Sequence, residues 1–233
     1  MISIIMPTLW KGEYYKKMLP LLDSHPLVGE ILIINNDVNQ TDHETLNKLT
    51  KLVLYNANTN LYVNQSWNYG ANRSSFDKLC LYSDDVLFDL KVIDDVYPFL
   101  TKNNGVTGFA FETISENNIP IDFMDWETPK IVETTLFHYR FGICMFVHKE
   151  SYIQIPEEYR IYYGDSTLFD GNILNGKKNF RIENYYVMTK MRSSSKNFND
   201  IIELDHQAYK RNNPNEAFVI DFMDDPKNIE HFQ

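Results

Sequence analysis

The sequence is short of the residues that build disulfide scaffolds and nucleic-acid-binding surfaces. It has only two cysteines, and its 22 basic residues form no cluster and are outnumbered by 32 acidic ones. A net charge of −10 repels a nucleic-acid backbone, which is bound through clustered lysine and arginine. Cys80 and Cys144 both lie in apolar runs, so we expect buried thiols in a reducing compartment, although a pairing between them stays open.

Long apolar runs are also absent. No stretch approaches the roughly 18 apolar residues that a membrane span requires. The N-terminus reads MISIIMPT, without the basic region or the small-residue cleavage site of a signal peptide. We therefore expect a cytoplasmic protein with no transmembrane segment and no nucleic-acid partner.

The residues that are present favour one α/β domain. The chain has 233 residues, of which 43% are hydrophobic and 14% aromatic, enough for a substantial core. Its apolar runs are continuous rather than alternating, which is typical of parallel strands covered by helices on both faces. The pattern predicts strands at 2–6, 30–34, 51–55, 78–82, 105–111, 137–147 and 180–188, and helices at 13–24, 41–50, 65–75, 166–174 and 201–210.

Polar residues follow these strands directly, and the most informative are Asp84 and Asp85 after the fourth strand. Ligands of open α/β sheets bind at the carboxyl ends of strands. Two carboxylates there suit a hard divalent cation, which in turn holds a diphosphate. The alternative is an ordinary Asp-rich turn or a helix cap.

Four segments, SIIMPT, EILIINND, NTNLYVNQSWNYGAN and LYSDD, occur in this order at predicted strand ends. Together they resemble glycosyltransferase family 2 and its GT-A relatives, over about 1–90 and patchily over 100–195. The resemblance implies a single GT-A domain, a Rossmann-like nucleotide-diphospho-sugar transferase fold with a mostly parallel sheet. That domain would span 1–195, with a nucleotide-binding half at 1–90 and an acceptor half at 100–195. A tail, 196–233, would pack on the domain.

The resemblance also implies a donor site. Pro7 and Thr8 would lie beside the nucleotide base, as would Asn36 or Asp37. Asp84 would contact the ribose or the sugar.

Three asparagines of the third segment, Asn60, Asn64 and Asn68, would line the nucleotide pocket or hold its loop. The chain as a whole is rich in asparagine. Each of the three can therefore also be a simple turn or cap residue.

Asp85 would ligate a divalent cation, Mn²⁺ or Mg²⁺. Ser83 stands where many relatives have the first acid of an Asp-x-Asp motif, so one carboxylate is missing. Near residue 190, where many relatives carry a histidine ligand, this chain has Lys190 and Arg192. Three alternatives remain: His206 supplies the ligand, the metal keeps extra waters, or Lys190 or Arg192 neutralises the diphosphate directly.

Asp165, in IPEEYRIYYGDSTLF, matches the acid that deprotonates the acceptor hydroxyl in inverting relatives. A carboxylate within hydrogen-bond reach of a hydroxyl can act as such a general base. Asp165 could also be the N-cap of a helix at 166–174. Trp126, in an acidic loop, is a candidate for stacking on an acceptor sugar.

The residues and the resemblance together predict a metal-dependent glycosyltransferase. It would transfer a sugar from a nucleotide-diphosphate sugar, with UDP favoured, to a glycan or other hydroxyl acceptor, with inversion. The alternative is a protein that keeps the GT-A scaffold and binds nucleotide-sugar or glycan without the chemistry. A nucleotidyltransferase is disfavoured because the loop after the first strand is not rich in glycine and lysine.

Overall fold

The computed structural model describes residues 1–115, 130–138, 140–190 and 197–214. The strands are β1 (Ile2–Thr8), β2 (Val28–Asn35), β3 (Leu52–Asn56), β4 (Lys78–Tyr82), β5 (Val86–Phe88), β6 (Asn104–Phe109), β7 (Ile114–Ser115), β8 (Lys130–Thr134), β9 (Cys144–His148), β10 (Lys178–Glu183) and β11 (Val187–Thr189). The helices are α1 (Tyr15–Ser24), α2 (His43–Leu46), α3 (Tyr62–Arg73), α4 (Lys91–Val96), α5 (Gly164–Leu174) and α6 (Asn199–Asn212). No helix of these described ranges is both long enough and apolar enough to cross a membrane.

The central sheet has eight strands in the order β3-β2-β1-β4-β9-β6-β10-β8. Strands β1 to β4 are mutually parallel, and β10 is parallel to β6. Strands β9 and β8 run antiparallel to their neighbours. A small second sheet, β5-β11-β7, lies beside the large one. The prediction of a mostly parallel central sheet flanked by helices is confirmed.

Side chains of the central strands supply two separate cores, one on each face of the sheet. In β1, Ile4 and Met6 belong to the core that includes α1 and α4, whereas Ile5 belongs to the core that includes α3, α5 and α6. In β4, Cys80 and Leu81 divide in the same way. Because successive side chains of a strand point to opposite faces, a strand covered on both sides must be apolar throughout. The continuous apolar runs have this origin.

Strand β1 continues two residues beyond the predicted end at Met6, through Pro7. The backbone groups of Ile2 and Thr8 form hydrogen bonds on the β2 side. Because backbone groups of successive residues point alternately to the two neighbouring strands, the backbone of Pro7 points towards β4. Pairing of β1 with β4 ends at Ile5 and Leu81. The missing N–H of proline therefore breaks no ladder hydrogen bond, and the strand tolerates it.

The helix predicted at 41–50 is wrong in extent, because only His43–Leu46 is α-helical. Asp42 caps this short helix by accepting from the Thr45 N–H. The chain then leaves the helical path because the N–H groups of Thr50 and Lys51 donate to the Asp23 carboxylate, at 2.9 and 2.8 Å. Those bonds direct the chain into β3.

Two strand predictions in the second half also need correction. The strand predicted at 137–147 begins only at Cys144, because Phe141–Ile143 forms a turn of 3₁₀ helix. The strand predicted at 180–188 is divided into β10 and β11 by Asn184, whose φ of 60° is incompatible with a continuous strand.

The two cysteines lie on neighbouring strands, Cys80 in β4 and Cys144 in β9. Both are buried free thiols, and their Sγ atoms are 3.8 Å apart. Burial raises the pKa of Cys80 well above its ordinary value. The Cys80 thiol is therefore not a ready nucleophile.

Helix α3 packs closely on β1 through Gly70, and the contact predicts a difference between two glycine substitutions. A Cβ on Gly70 would lie 2.3 Å from Cγ2 of Ile5, a fully buried residue of the central strand. We expect Gly70→Ala to lower the free energy of unfolding by about 1–3 kcal/mol, as overpacking of a core does.

Gly171 of α5 is the matched control. There a Cβ would meet only the terminal Cδ1 of Ile153, at 2.4 Å, and that atom can rotate away. Gly171→Ala should therefore raise the free energy of unfolding, by up to about 1 kcal/mol, because alanine favours helix over glycine. Urea unfolding of both variants measures the difference, and equal stabilities would show that α3 can move away from β1.

Candidate functional site

The central sheet has its topological switch point between β1 and β4. From β1 the chain proceeds outward to β2 and β3, whereas β4 lies on the other side of β1. The ladder between β1 and β4 ends at Ile5 and Leu81, so the carboxyl ends of the two strands separate beyond that pair. Ligands of open α/β sheets bind in the crevice at this position.

Thr8 and Asp84 meet across this crevice. The Thr8 hydroxyl donates to Oδ2 of Asp84 at 2.6 Å, and the Gly12 N–H donates to the same carboxylate. A Cβ on Gly12 would lie 2.4 Å from the Asp84 carbonyl oxygen, so only glycine allows this approach. The structure thus brings together two residues that the sequence assigned to the donor site, Thr8 and Asp84.

Burial, together with the neighbouring charge of Asp85, raises the pKa of Asp84 to about 6 against the opposing hydrogen bonds from Thr8 and Gly12. The Asp84 carboxylate is only 7% exposed. A positively charged ligand at the crevice would favour the ionised form and lower this pKa.

Asp85 lies in the turn between β4 and β5. The two interpretations of the acidic pair, an Asp-rich turn and a site at a strand end, therefore describe the same segment. The Lys190 N–H, at the end of β11, donates to the Asp85 carbonyl oxygen at 3.3 Å. The exposed Lys190 ammonium pairs with Glu13, which raises the pKa of Lys190 and lowers that of Glu13. The structure therefore places Lys190 beside Asp85, with its charge shared with Glu13.

The residues at this edge could hold a divalent cation only with help from a ligand. Within the described part of the chain, no three His, Cys, Asp or Glu side chains form a group that could hold a metal ion. Asp84 and Asp85 are the two carboxylates at the strand end. Mg²⁺ is commonly bound by one or two carboxylates together with substrate phosphates and waters. The donor set fits that kind of site.

Asn35 is the buried centre of a hydrogen-bond network at the end of β2, and the sequence did not single it out. Its Nδ2 donates to Thr41 Oγ1 and Asn56 Oδ1, both at 2.8 Å. Its Oδ1 accepts from the Trp10 indole N–H at 2.7 Å and from the Asp37 N–H at 3.0 Å. Asp37 in turn caps the short turn that follows. The network joins the carboxyl ends of β1, β2 and β3.

Asn36 connects the same edge to α3. Its N–H donates to the Thr8 carbonyl oxygen, its Nδ2 to Ser66 Oγ, and its Oδ1 accepts from the Leu61 N–H. Pro7 lies just before Thr8 in the buried part of β1. Pro7, Thr8 and Asn36 are thus adjacent at the crevice.

The three asparagines near α3 have defined partners. Asn60 accepts from the N–H two residues later at 2.8 Å and starts the turn into the helix. Asn64 Nδ2 donates to the Tyr162 carbonyl oxygen at 2.8 Å. Asn68 both donates to the Ile155 carbonyl oxygen and accepts from the Ile155 N–H. Asn64 and Asn68 hold the segment that precedes α5.

Asp165 lies in the first turn of α5, which begins at Gly164 with Tyr163 as its N-cap. The predicted role of Asp165 as N-cap of a helix from 166 is therefore wrong. Its Oδ2 accepts from the Gly142 N–H at 3.1 Å and its Oδ1 from the Ser166 N–H at 3.0 Å. Tyr163 supplies the cap position with a left-handed φ of 65°.

The Gly142 contact brings Asp165 to the same edge of the sheet as the acidic turn. Gly142 precedes Ile143, whose carbonyl oxygen accepts from the Ser83 N–H at 3.3 Å. Burial raises the pKa of Asp165 to about 6, against the hydrogen bonds from Ser166 and Gly142. A half-buried carboxyl group with this pKa is suited to accept a proton near neutral pH.

Other candidates lie elsewhere. His206, in α6, contacts the Tyr163 hydroxyl. No hydrogen bond among the described residues joins His206 to Asp84 or Asp85. Trp126 and Arg192 lie outside the described residues.

Sequence reasoning missed Asp205, although a signal for it exists. Asp205 falls at helical spacing between Ile201 and Ile202 on one side and Ala208 and Tyr209 on the other. An acid on the apolar stripe of a helix indicates a buried carboxylate. In the structure Asp205 is fully buried and accepts three backbone N–H groups.

The fold is shared with solved structures of S. aureus TarS. The chain matches TarS 1–349 with a TM-score of 0.62 and 13% identity, over 99% of this chain and 76% of that one. It matches TarS 1–349 in complex with UDP-GlcNAc with a TM-score of 0.60 and 17% identity, and the complex with UDP with 0.57 and 15%. Each of these two matches covers 90% of this chain, and 66% and 65% of the TarS chain, respectively.

Identities of 13–17% show a common fold, and the GT-A fold class predicted from the sequence is confirmed. The chain spans about two thirds to three quarters of the TarS 1–349 chains. No protein-family model and no curated protein sequence matches the chain.

Proposed function

We propose that this protein is a glycosyltransferase that uses a nucleotide-diphosphate sugar, with a UDP-sugar favoured. The observation that carries the proposal is the pair Asp84 and Asp85 at the switch point of a sheet whose fold is shared with TarS, which has been solved with UDP and with UDP-GlcNAc. The acceptor is a glycan or another hydroxyl compound. The two buried free thiols fit the cytoplasmic location expected from the sequence.

The donor is bound at the crevice between β1 and β4. Pro7, Thr8 and Asn36 lie beside the nucleotide, with Asn35 fixing the ends of three strands beneath them. Asp84 contacts the ribose or the sugar. Lys190 contributes positive charge near the departing diphosphate, shared with Glu13.

Asp165 acts as the general base. Its carboxylate accepts the proton of the acceptor hydroxyl while that oxygen attacks the anomeric carbon from the face opposite the leaving diphosphate, so the configuration inverts. The Gly142 and Ser166 N–H groups orient the carboxylate.

A divalent cation, Mn²⁺ or Mg²⁺, belongs to this proposal. Asp85 would hold it, and the cation would neutralise charge on the diphosphate. A diphosphate and waters would complete its coordination, because among the described residues the strand end offers only the carboxylates of Asp84 and Asp85.

One observation favours a second candidate, a nucleotide-sugar- or glycan-binding protein without transferase activity. The Asp84 carboxylate is already bonded to Thr8 and Gly12, and no third metal-ligating side chain joins the acidic pair among the described residues. Such a site could bind a donor without efficiently promoting its cleavage.

Calorimetry with UDP and UDP-GlcNAc, with and without Mn²⁺, tests donor binding, and UDP release in the presence of a panel of oligosaccharides tests turnover. We expect binding of both ligands, stronger with Mn²⁺, and UDP release with at least one acceptor. Binding without UDP release under any condition would favour the second candidate. Failure to bind any nucleotide-diphosphate sugar would contradict the transferase and would leave only glycan binding for the second candidate.

A further inference from the structure

Asp165 is preceded by an irregular segment, residues 155–163, whose shape is set by side chains of other elements. On one side, groups of α3 donate hydrogen bonds to the carbonyl oxygens of this segment. Asn64 donates to the Tyr162 carbonyl oxygen from its Nδ2, and the Asn64 N–H donates to the Arg160 carbonyl oxygen at 3.0 Å. Gln65 Nε2 donates to the Pro156 carbonyl oxygen at 2.9 Å.

On the other side α6 takes up the N–H groups of the same segment. Asp205 Oδ1 accepts from the Arg160 N–H at 3.0 Å, and Oδ2 accepts from the N–H groups of Ile161 and Tyr162, at 2.7 and 2.9 Å. Asp205 is fully buried. The last of these peptides is three residues before Asp165.

Two further residues of α6 hold Tyr163, which caps α5. The Tyr163 ring is stacked on Tyr209, with ring centroids 4.0 Å apart and planes at 13°. The Tyr163 hydroxyl is hydrogen-bonded to Nδ1 of His206. Tyr163 has a left-handed φ of 65°, a conformation that a bulky residue keeps only when its surroundings enforce it.

We infer that Asp205 is a positioning residue for the reaction: through α6 it fixes the backbone at 160–162 and thereby the carboxylate of Asp165. This inference rests on the proposed function and extends it to helix α6. A buried carboxylate that accepts three N–H groups defines the direction of three successive peptides. Asp165 comes three residues after Tyr162, so the direction of these peptides determines where the first turn of α5 begins.

The alternative is that Asp205 contributes only to stability, and kinetics separates the two roles. In Asp205→Asn the side chain keeps its shape but one acceptor oxygen becomes an NH₂ group that faces a backbone donor. We expect kcat for UDP release from UDP-GlcNAc to fall by about tenfold or more, since a misplacement of about 1 Å costs roughly 100-fold. The KM for UDP-GlcNAc and the affinity for UDP should stay within about twofold, because the donor crevice is unchanged.

Glu30 provides a matched control at the opposite edge of the sheet. It is a buried carboxylate that accepts from the Ser75 N–H at 2.6 Å and from the hydroxyls of Ser3 and Ser75. Glu30→Gln should lower the free energy of unfolding without changing kcat. A fall in kcat for Asp205→Asn no larger than that for Glu30→Gln would overturn the inference.

His206→Ala is the second variant, because it removes a contact of the same segment at a partly exposed position and keeps the inference testable if Asp205→Asn does not fold. We expect a smaller fall in kcat, again with KM unchanged. Hydrogen exchange should show faster exchange of the N–H groups of Arg160, Ile161 and Tyr162 in Asp205→Asn. If kcat is unaltered in His206→Ala and in any folded Asp205 variant, the inference is overturned while the proposed function stands. If the unaltered chain does not bind UDP, the proposed function itself is overturned.

Discussion

Replacing Asp165 by asparagine should reduce the rate of UDP release from UDP-GlcNAc in the presence of an acceptor by about 10²–10⁴-fold, the usual contribution of a general base. Asparagine keeps the shape and the hydrogen bond from the Gly142 N–H, but it cannot accept the proton of the acceptor hydroxyl. UDP-GlcNAc affinity, measured by calorimetry, should stay nearly unchanged.

The pH dependence of the rate provides an independent signature. Because the base must be ionised and burial raises the pKa of Asp165 to about 6, the rate should rise with pH through that value and level off above it. Asp165→Asn should lose this rise.

Asp170→Asn, an exposed acid farther along the same helix, is the control. Its negative charge raises the pKa of Asp165, so the midpoint of the profile should move slightly lower while the maximal rate is kept. A rate for Asp165→Asn that equals the unaltered one would rule out the assignment of the base.

Replacing Asp85 by alanine should weaken UDP binding in the presence of Mn²⁺ by at least about tenfold, or about 1.4 kcal/mol. The reason is that Asp85 would be the carboxylate that holds the cation against the diphosphate. The bond from the Lys190 N–H to the Asp85 carbonyl oxygen is kept in this variant, so the backbone of the turn should not change. Titration of UDP with Mn²⁺ and again with EDTA measures the effect, and in EDTA the variant and the unaltered chain should bind equally.

Ser83→Asp is the reciprocal variant. It supplies the carboxylate that the strand end lacks relative to an Asp-x-Asp motif, so it should lower the Mn²⁺ concentration needed for half-maximal UDP binding. If Mn²⁺ does not affect UDP binding to the unaltered chain, the metal proposal is wrong whatever the variants do.

The sequence predicted well those elements whose burial requires a run of consecutive apolar residues. Strand β4 has the predicted bounds, 78–82, because its four residues from Leu79 to Tyr82 each pack into one of two cores. Strands β5 and β11 have three residues each, too few for any periodicity. Strand β8, KIVET, pairs with β10 nearly 50 residues later, and such a register depends on the tertiary fold.

The candidate site shows the same division. Asp84 and Asp85 could be proposed because they follow a recognisable strand, and Asp165 because its segment resembles the corresponding loop of family 2 glycosyltransferases. Asn35 could not be separated from Asn36, since both follow the same apolar run. The three partners of Asp205 lie more than 40 residues earlier in the chain. Its apolar helix face indicated burial, but nothing in the sequence indicated what it would meet.

The segment at 155–163 has a consequence for how such a protein can diverge. Its peptide groups are held by Asn64, Gln65, Asn68 and Asp205, all of which lie outside the segment. The exposed side chain of Arg160 makes none of these hydrogen bonds. In the proposed glycosyltransferase, acceptor preference could change during evolution by substitutions within this segment, while the four supporting residues and the crevice between β1 and β4 stayed the same.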